Sequence, residues 1–217
     1  MDNIIYILFV AVFVPIFLMA LLVEKKSRLP ISFMLIGIFI SVFASEVNGL
    51  LSRVLFMDMY DITVIVTPVT EELLKMLPIL YYAIVISDKR ERLFTASMAT
   101  GIGFAILENA FYLLNYSNFD MISAVIRAFG AGLMHGMCTL LVGVGISFVK
   151  KKSKLFAVGT FGLLSTAIVY HGIYNILIQS KFSIVGALLP IATYIPFFVW
   201  RIVYKIKQAK KQNKASC

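Results

Sequence analysis

Apolar runs of about 20 residues recur along this chain, parted by short charged or polar connections. A helix needs about 20 predominantly apolar residues to cross the hydrocarbon of a bilayer. The pattern therefore predicts an all-α, polytopic membrane bundle with seven crossings, at 4–23, 31–51, 62–86, 93–114, 121–149, 155–178 and 184–203. No soluble domain, low-complexity linker or internal repeat interrupts the series. We read residues 1–203 as one integral-membrane domain and 204–217 as a basic tail.

The polar exceptions inside those runs carry the information. Glu46, Glu71, Glu72 and Glu108 lie within predicted spans, as do His135 and His171, the two histidines of the chain. An ionisable group in hydrocarbon costs roughly 2.5–3.5 kcal/mol on insertion scales, and such groups mark functional sites by default.

Composition agrees with the pattern. The chain is 60% hydrophobic and 14% charged, with a mean hydropathy of +0.93. Its net charge of +9 could suggest nucleic acid, but the placement of the charge argues for topology instead. Lys25, Lys26 and Arg28 follow the first span; Lys89, Arg90 and Arg92 follow the third; Lys150, Lys151, Lys152 and Lys154 follow the fifth. A further basic cluster closes the chain, whereas the alternate connections hold Arg53 and Lys181. The positive-inside rule then puts the N-terminus outside and the C-terminus in the cytoplasm. No basic region precedes the first span, which reads as an anchor rather than a cleaved signal. Cys138 and Cys217 are placed neither for a disulfide nor for a metal site.

Given that topology, each buried polar group acquires a depth at about 1.5 Å per residue. Glu71 and Glu72 fall about 14 Å below the outer surface, Glu108 about 9 Å and His171 about 10 Å. Glu46 is at a comparable level and His135 nearer the midplane. Groups from five helices thus share the outer half of the bilayer, which predicts one polar site. Small residues around His135 (Ala131, Gly132, Gly136) favour close helix approach there. Pro68 and Pro78 flank the glutamate pair, where broken backbone is tolerated if it lines a cavity or finds other partners.

Glu71-Glu72-Leu73-Leu74-Lys75 is the sharpest motif. Glu71 and Lys75 stand at i and i+4, so the ammonium can neutralise that carboxylate, while Glu72 is rotated by about 100° toward another partner. The competing reading is a salt bridge on a membrane-edge helix. Glu108, with the Asn109 amide beside it, could instead be an interfacial acid. His171 and Asn175 share a helical face and could hold a reacting oxygen, or could make a structural hydrogen bond. For His135 the competing reading is a structural bond to a neighbouring helix. Glu46 reads as a supporting carboxylate, and Arg127 as a snorkelling or ion-pairing residue.

Taken in order, Glu71–Lys75 (EELLK), residues 104–108 (FAILE), His135 and residues 171–175 (HGIYN) resemble the PrsW-type intramembrane proteases. That group belongs to the superfamily of the CAAX prenyl endoproteases and bacteriocin-processing membrane proteases. The broader superfamily commonly has EExxxR and FxxxH; Lys75 and Glu108 in this chain favour the PrsW branch. The resemblance implies a metal-independent glutamic protease of a bacterial cell membrane. Its substrate would be a single-pass membrane protein, often an anti-sigma factor, cut near the outer surface as the first step of a regulated cascade.

Peptide hydrolysis needs an activated water, a stabiliser for the oxyanion and a proton donor for the leaving amine. Glu71 or Glu72 is the candidate base, with Lys75 holding its neighbour ionised. His171 with Asn175 would contact the oxyanion, and Glu108 and His135 would position water or pass protons. No cofactor is expected on this reading. A zinc protease, with Glu and His ligands but without an HExxH motif, is one competitor. A proton- or ion-coupled transporter is the other. The expected partners are a single-span protein and the bilayer, with no role for nucleic acid.

Overall fold

A computed structural model describes residues 4–115, 121–149 and 153–215. Lys150, Lys151, Lys152 and Cys217, which entered the charge and cysteine arguments, lie outside the described residues. The rest forms seven helices joined by short connections: α1 (Ile4–Leu22), α2 (Lys25–Leu55), α3 (59–86), α4 (Arg90–Asn115), α5 (Met121–Ile146), α6 (Ser153–Ile178) and α7 (Ser183–Ala215). All seven predicted spans therefore correspond to helices. Five of these helices are long and apolar enough to cross a membrane: α1, α2, α4, α5 and α6. The apolar part of α7 is shorter, at Ser183–Pro196, and α3 carries the charged motif.

The bundle is apolar outside and polar at its centre. Large side chains such as Phe39, Phe43, Leu77, Val158 and Phe161 are exposed, while Glu72, Lys75, Ser97, Thr100, His135 and His171 are fully buried. This arrangement is stable when hydrocarbon surrounds the helices and buried polar groups meet one another inside. α4 packs between α2 and α5, α5 continues the layer onto α6 and α7, and α1 lies against α2 and α4. α3 touches α2, α4, α5 and α6 and so runs through the interior.

Glycines set the closest crossings. A methyl group on Gly37 of α2 would overlap the carbonyl oxygen of Thr100 on α4, and one on Gly103 of α4 would overlap that of Met34 on α2. The two backbones are thus in reciprocal contact, the arrangement small residues allow between membrane helices. Gly101 plays the same part against α5, where a methyl would meet the carbonyl oxygen of His135.

α3 is not a uniform α-helix. Its α-helical middle, Thr67–Tyr81, lies between two wider π turns, Ile62–Val66 and Tyr82–Ile86. Pro68 explains what happens to the first. In the π register the N–H of Thr67 bonds to the carbonyl of Ile62. The next carbonyl, of Thr63, would look to residue 68, which as proline has no N–H. Asn175 of α6 fills the gap, its Nδ2 donating to Thr63 O at 2.9 Å. The helix stays continuous but is locally widened at the proline, and a side chain satisfies the backbone group so freed.

Candidate active site

Glu71, Glu72, Lys75, Glu108, His135 and His171 converge on one buried centre. Lys75, wholly enclosed, is its hub: Nζ donates to Glu72 Oε1 at 2.6 Å and lies 2.9 Å from His135 Nδ1. The face of Phe104 covers the ammonium, 4.3 Å from the ring centroid, a cation–π contact. His135 Nε2 is 2.6 Å from Glu108 Oε2. His171 Nδ1 is 3.0 Å from Glu72 Oε1, and the two imidazoles meet edge to face with centroids 4.9 Å apart.

These contacts assign the tautomers. An ammonium can only donate, so Nδ1 of His135 accepts and its Nε2–H donates to Glu108. A carboxylate oxygen that already receives Lys75 accepts again from His171 Nδ1–H, so in the neutral imidazole Nε2 carries the free lone pair. That nitrogen is buried without a hydrogen-bond partner, and so is Glu71 Oε2. The two atoms stand 3.9 Å apart. The distance is too long for a direct hydrogen bond and suits a bridging water.

The two glutamates therefore differ. The expected i,i+4 pair of Glu71 with Lys75 is loose, at 3.8 Å, whereas Glu72 at i+3 takes the short contact. The flexible lysine stem reaches either acid, and His171 and His135 fix the choice by bonding to Glu72 and to the ammonium. Glu71 turns instead toward a cavity of about 290 Å³ that Glu108 also lines. The cavity walls come from the start of α1 and α3 and the last turns of α2 and α4, at Ile5, Ser52, Met59 and Tyr112. It thus lies at the end of the bundle where α2 connects to α3, which the charge pattern predicts to be the outer end.

Four residues singled out in the sequence have other surroundings. Glu46 is exposed and receives the hydroxyl of Tyr6 at 2.6 Å, so it ties α1 to α2 apart from the lysine hub. One N–H of the Asn175 amide donates to Thr63 O, so this side chain also holds the backbone of α3. Asn109 is buried with Oδ1 unpartnered. Arg127 stacks on Tyr112, 3.9 Å from its ring centroid. Sequence reasoning passed over Tyr174, buried with an unpartnered hydroxyl, and also the serines of α2. Their spacing at 41, 45 and 52 was a legible signal.

A membrane-embedded hydrolase is a class that such a centre suits: carboxylates, imidazoles and an ammonium inside a lipid-facing bundle, with a cavity lined by Glu71 and Glu108. The family model described as PrsW family intramembrane metalloprotease matches residues 25–201, and the chain belongs to that family. Neither the curated proteins nor the solved structures searched gave a match. Membership decides for intramembrane proteolysis over transport. α1 lies outside the matched segment.

The family's description raises a metal. Glu71, His135 and His171 each offer a ligand atom, all within 4.8 Å of one another, and these are donor types zinc uses. Glu71 Oε2 and His171 Nε2 are free to bind. His135 is not: one nitrogen accepts from Lys75 and the other donates to Glu108. A divalent ion here would also face the Lys75 ammonium at short range. The trio fits a metal in residue type and separation, but in this arrangement not in availability.

Proposed function

We propose that this protein hydrolyses a peptide bond of a single-span membrane protein with a water activated by Glu71. The observation that carries the reading is the pair of buried, unpartnered acceptors, Glu71 Oε2 and His171 Nε2, 3.9 Å apart, with Glu71 lining the cavity. A water between them would donate one hydrogen to each and turn its lone pairs toward a substrate carbonyl. Glu71 then takes the proton as the water attacks and returns it to the leaving amine. Glu72 is the positioning acid: it holds Lys75 and His171, and through Lys75 the ring of His135. Glu108 anchors the far side of that ring.

The resemblance to PrsW-type proteases extends the proposal to an anti-sigma factor as substrate, in a bacterial cell membrane. The cut falls toward the outer end of the substrate's span, because the cavity reaches Glu71 from one end of the bundle. The second reading is a metalloprotease with Glu71, His171 and His135 as ligands, favoured by their mutual separation and by the family's description.

One experiment tests both. The purified protein in detergent, where no ion gradient exists, is given a panel of single-span substrates, and the fragments are sized by mass spectrometry. Cleavage that survives exhaustive chelation, with no stoichiometric metal in the protein, supports the glutamate mechanism. Cleavage that stops on chelation and returns with zinc overturns it in favour of the metal. No cleavage of any panel member by the wild type, set against a control with Glu71→Gln, counts against the proposed substrate class.

A further inference from the structure

The cavity in front of Glu71 has a wall that proteolysis alone does not explain. Ser41, Ser45, Asn48 and Ser52 of α2 all line it, at i, i+4, i+7 and i+11, which is one helical face. Thr63 and Thr67 of α3 line it as well. Around these positions Phe39, Phe43 and Leu50 are apolar and exposed, and Glu46 is taken up by the Tyr6 hydroxyl. Asn48 Oδ1 already receives Thr70 Oγ1, and Ser52 Oγ donates to Met57 O at 3.4 Å. Ser41 and Ser45 make no side-chain hydrogen bond among the described residues.

A substrate helix inserted whole cannot use such a site. Its peptide bonds are shielded by their own hydrogen bonds, so the segment around the scissile bond must unwind. Unwinding inside a membrane strands N–H and C=O groups that need new partners. Hydroxyls suit this, since each can donate or accept and none depends on the substrate's side chains. From Ser41 to Ser52 the helix rises about 16 Å, the length of about five extended residues. The void of about 290 Å³ along that wall is smaller than the cylinder that a helix about 10–12 Å across would sweep over that length. Glu71 points to an occupant independently. It is 4% exposed and lines the same cavity, with Oε2 unpartnered.

We propose that the hydroxyl ladder of α2, facing Thr63 and Thr67, is a subsite that binds unwound substrate backbone and leads it to Glu71. The inference rests on the protease reading and adds where, and in what conformation, the substrate lies. It makes Ser41 and Ser45 substrate-binding residues and ties specificity to how readily a substrate helix breaks, with little regard to its side chains.

The test uses the full-length Glu71→Gln protein, so that binding is read without cutting, and two synthetic single-span Leu/Ala peptides. One is interrupted near its outer end by Gly-Ser-Gly-Ser and the other is continuous; each carries photo-leucine at that level. The interrupted peptide should crosslink to residues 41–52 and 62–67. The double variant Ser41→Ala/Ser45→Ala should weaken its binding about tenfold and leave the continuous peptide unchanged. Ser45→Thr, which keeps the hydroxyl, should bind as the parent does. Crosslinks confined to other faces of the bundle would overturn the subsite, as would equal weakening for both peptides or no weakening at all. Because Glu71→Gln separates binding from hydrolysis, that failure would leave the protease reading standing. Loss of the glutamate mechanism in the chelation assay, or of all cleavage in the substrate panel, would leave the crosslinks interpretable.

Discussion

At the scale of single residues, two adjacent glutamates have become different tools. Glu72 accepts from Lys75 and His171 through one oxygen, whereas Glu71 keeps an oxygen free. Glu71→Gln should therefore lower turnover by about 10²–10⁴-fold, the usual scale of general-base loss, with little change in thermal stability. Glu72→Gln should lose activity and also stability, by about 3 kcal/mol, because it leaves a buried ammonium without its carboxylate. Turnover and thermal unfolding in one detergent check both; a Glu72→Gln protein as stable as wild type would show that Lys75 does not depend on this pair. The cluster itself was legible, because charged and imidazole groups stand out in apolar runs. Its pairings were not: helical spacing offered Lys75 both i+3 and i+4 partners, and His135 and His171, 60 and 99 residues away from their partners, made the selection.

At the scale of helices, the site depends on how closely α4 approaches its neighbours. Gly101 lets the α4 backbone touch α5 at the carbonyl of His135, one residue type deciding where an imidazole stands. Gly101→Val should force the helices apart, costing about 1–3 kcal/mol or more and breaking the 2.6 Å contact of His135 with Glu108. Gly159→Ala, where added bulk meets nothing within 4 Å, should be neutral or gain about 0.5–1 kcal/mol in helix propensity. Unfolding curves and turnover of the two variants make the comparison, and equal behaviour would remove the close approach as a cause. Hydropathy placed the helices within a few residues at most ends, but it began α2 at residue 31. The helix starts at Lys25 and runs through Pro30, since charged residues can extend a helix past the hydrocarbon. It likewise ended the last helix at 203, where α7 continues to Ala215. The π turns left no trace in hydropathy; only the prolines hinted at them.

At the scale of the whole molecule, the alternation of basic connections predicts a bundle with its cavity outward. Single cysteines in a background lacking Cys138 and Cys217 give the check. Position 57, in the α2–α3 connection, should react with an impermeant maleimide added outside intact cells, and position 89 only after permeabilisation; the reverse pattern would turn the bundle over. The interior position of α3 also bears on how the protein is made. Alone among the interior helices, α3 brings two carboxylates and an ammonium into the membrane, and its histidine and helix-face partners reside on α5 and α6, which the ribosome delivers later. During synthesis this segment is a poor candidate for release into lipid by itself. We expect it to wait beside the insertion machinery until α6 emerges. In a glycosylation-mapping assay, α3 ending a truncated chain should integrate less completely than α3 followed by α4 to α6. Replacing Glu71, Glu72 and Lys75 together by leucine should abolish the difference. The chemistry that equips the finished enzyme would then set the timetable of its biogenesis.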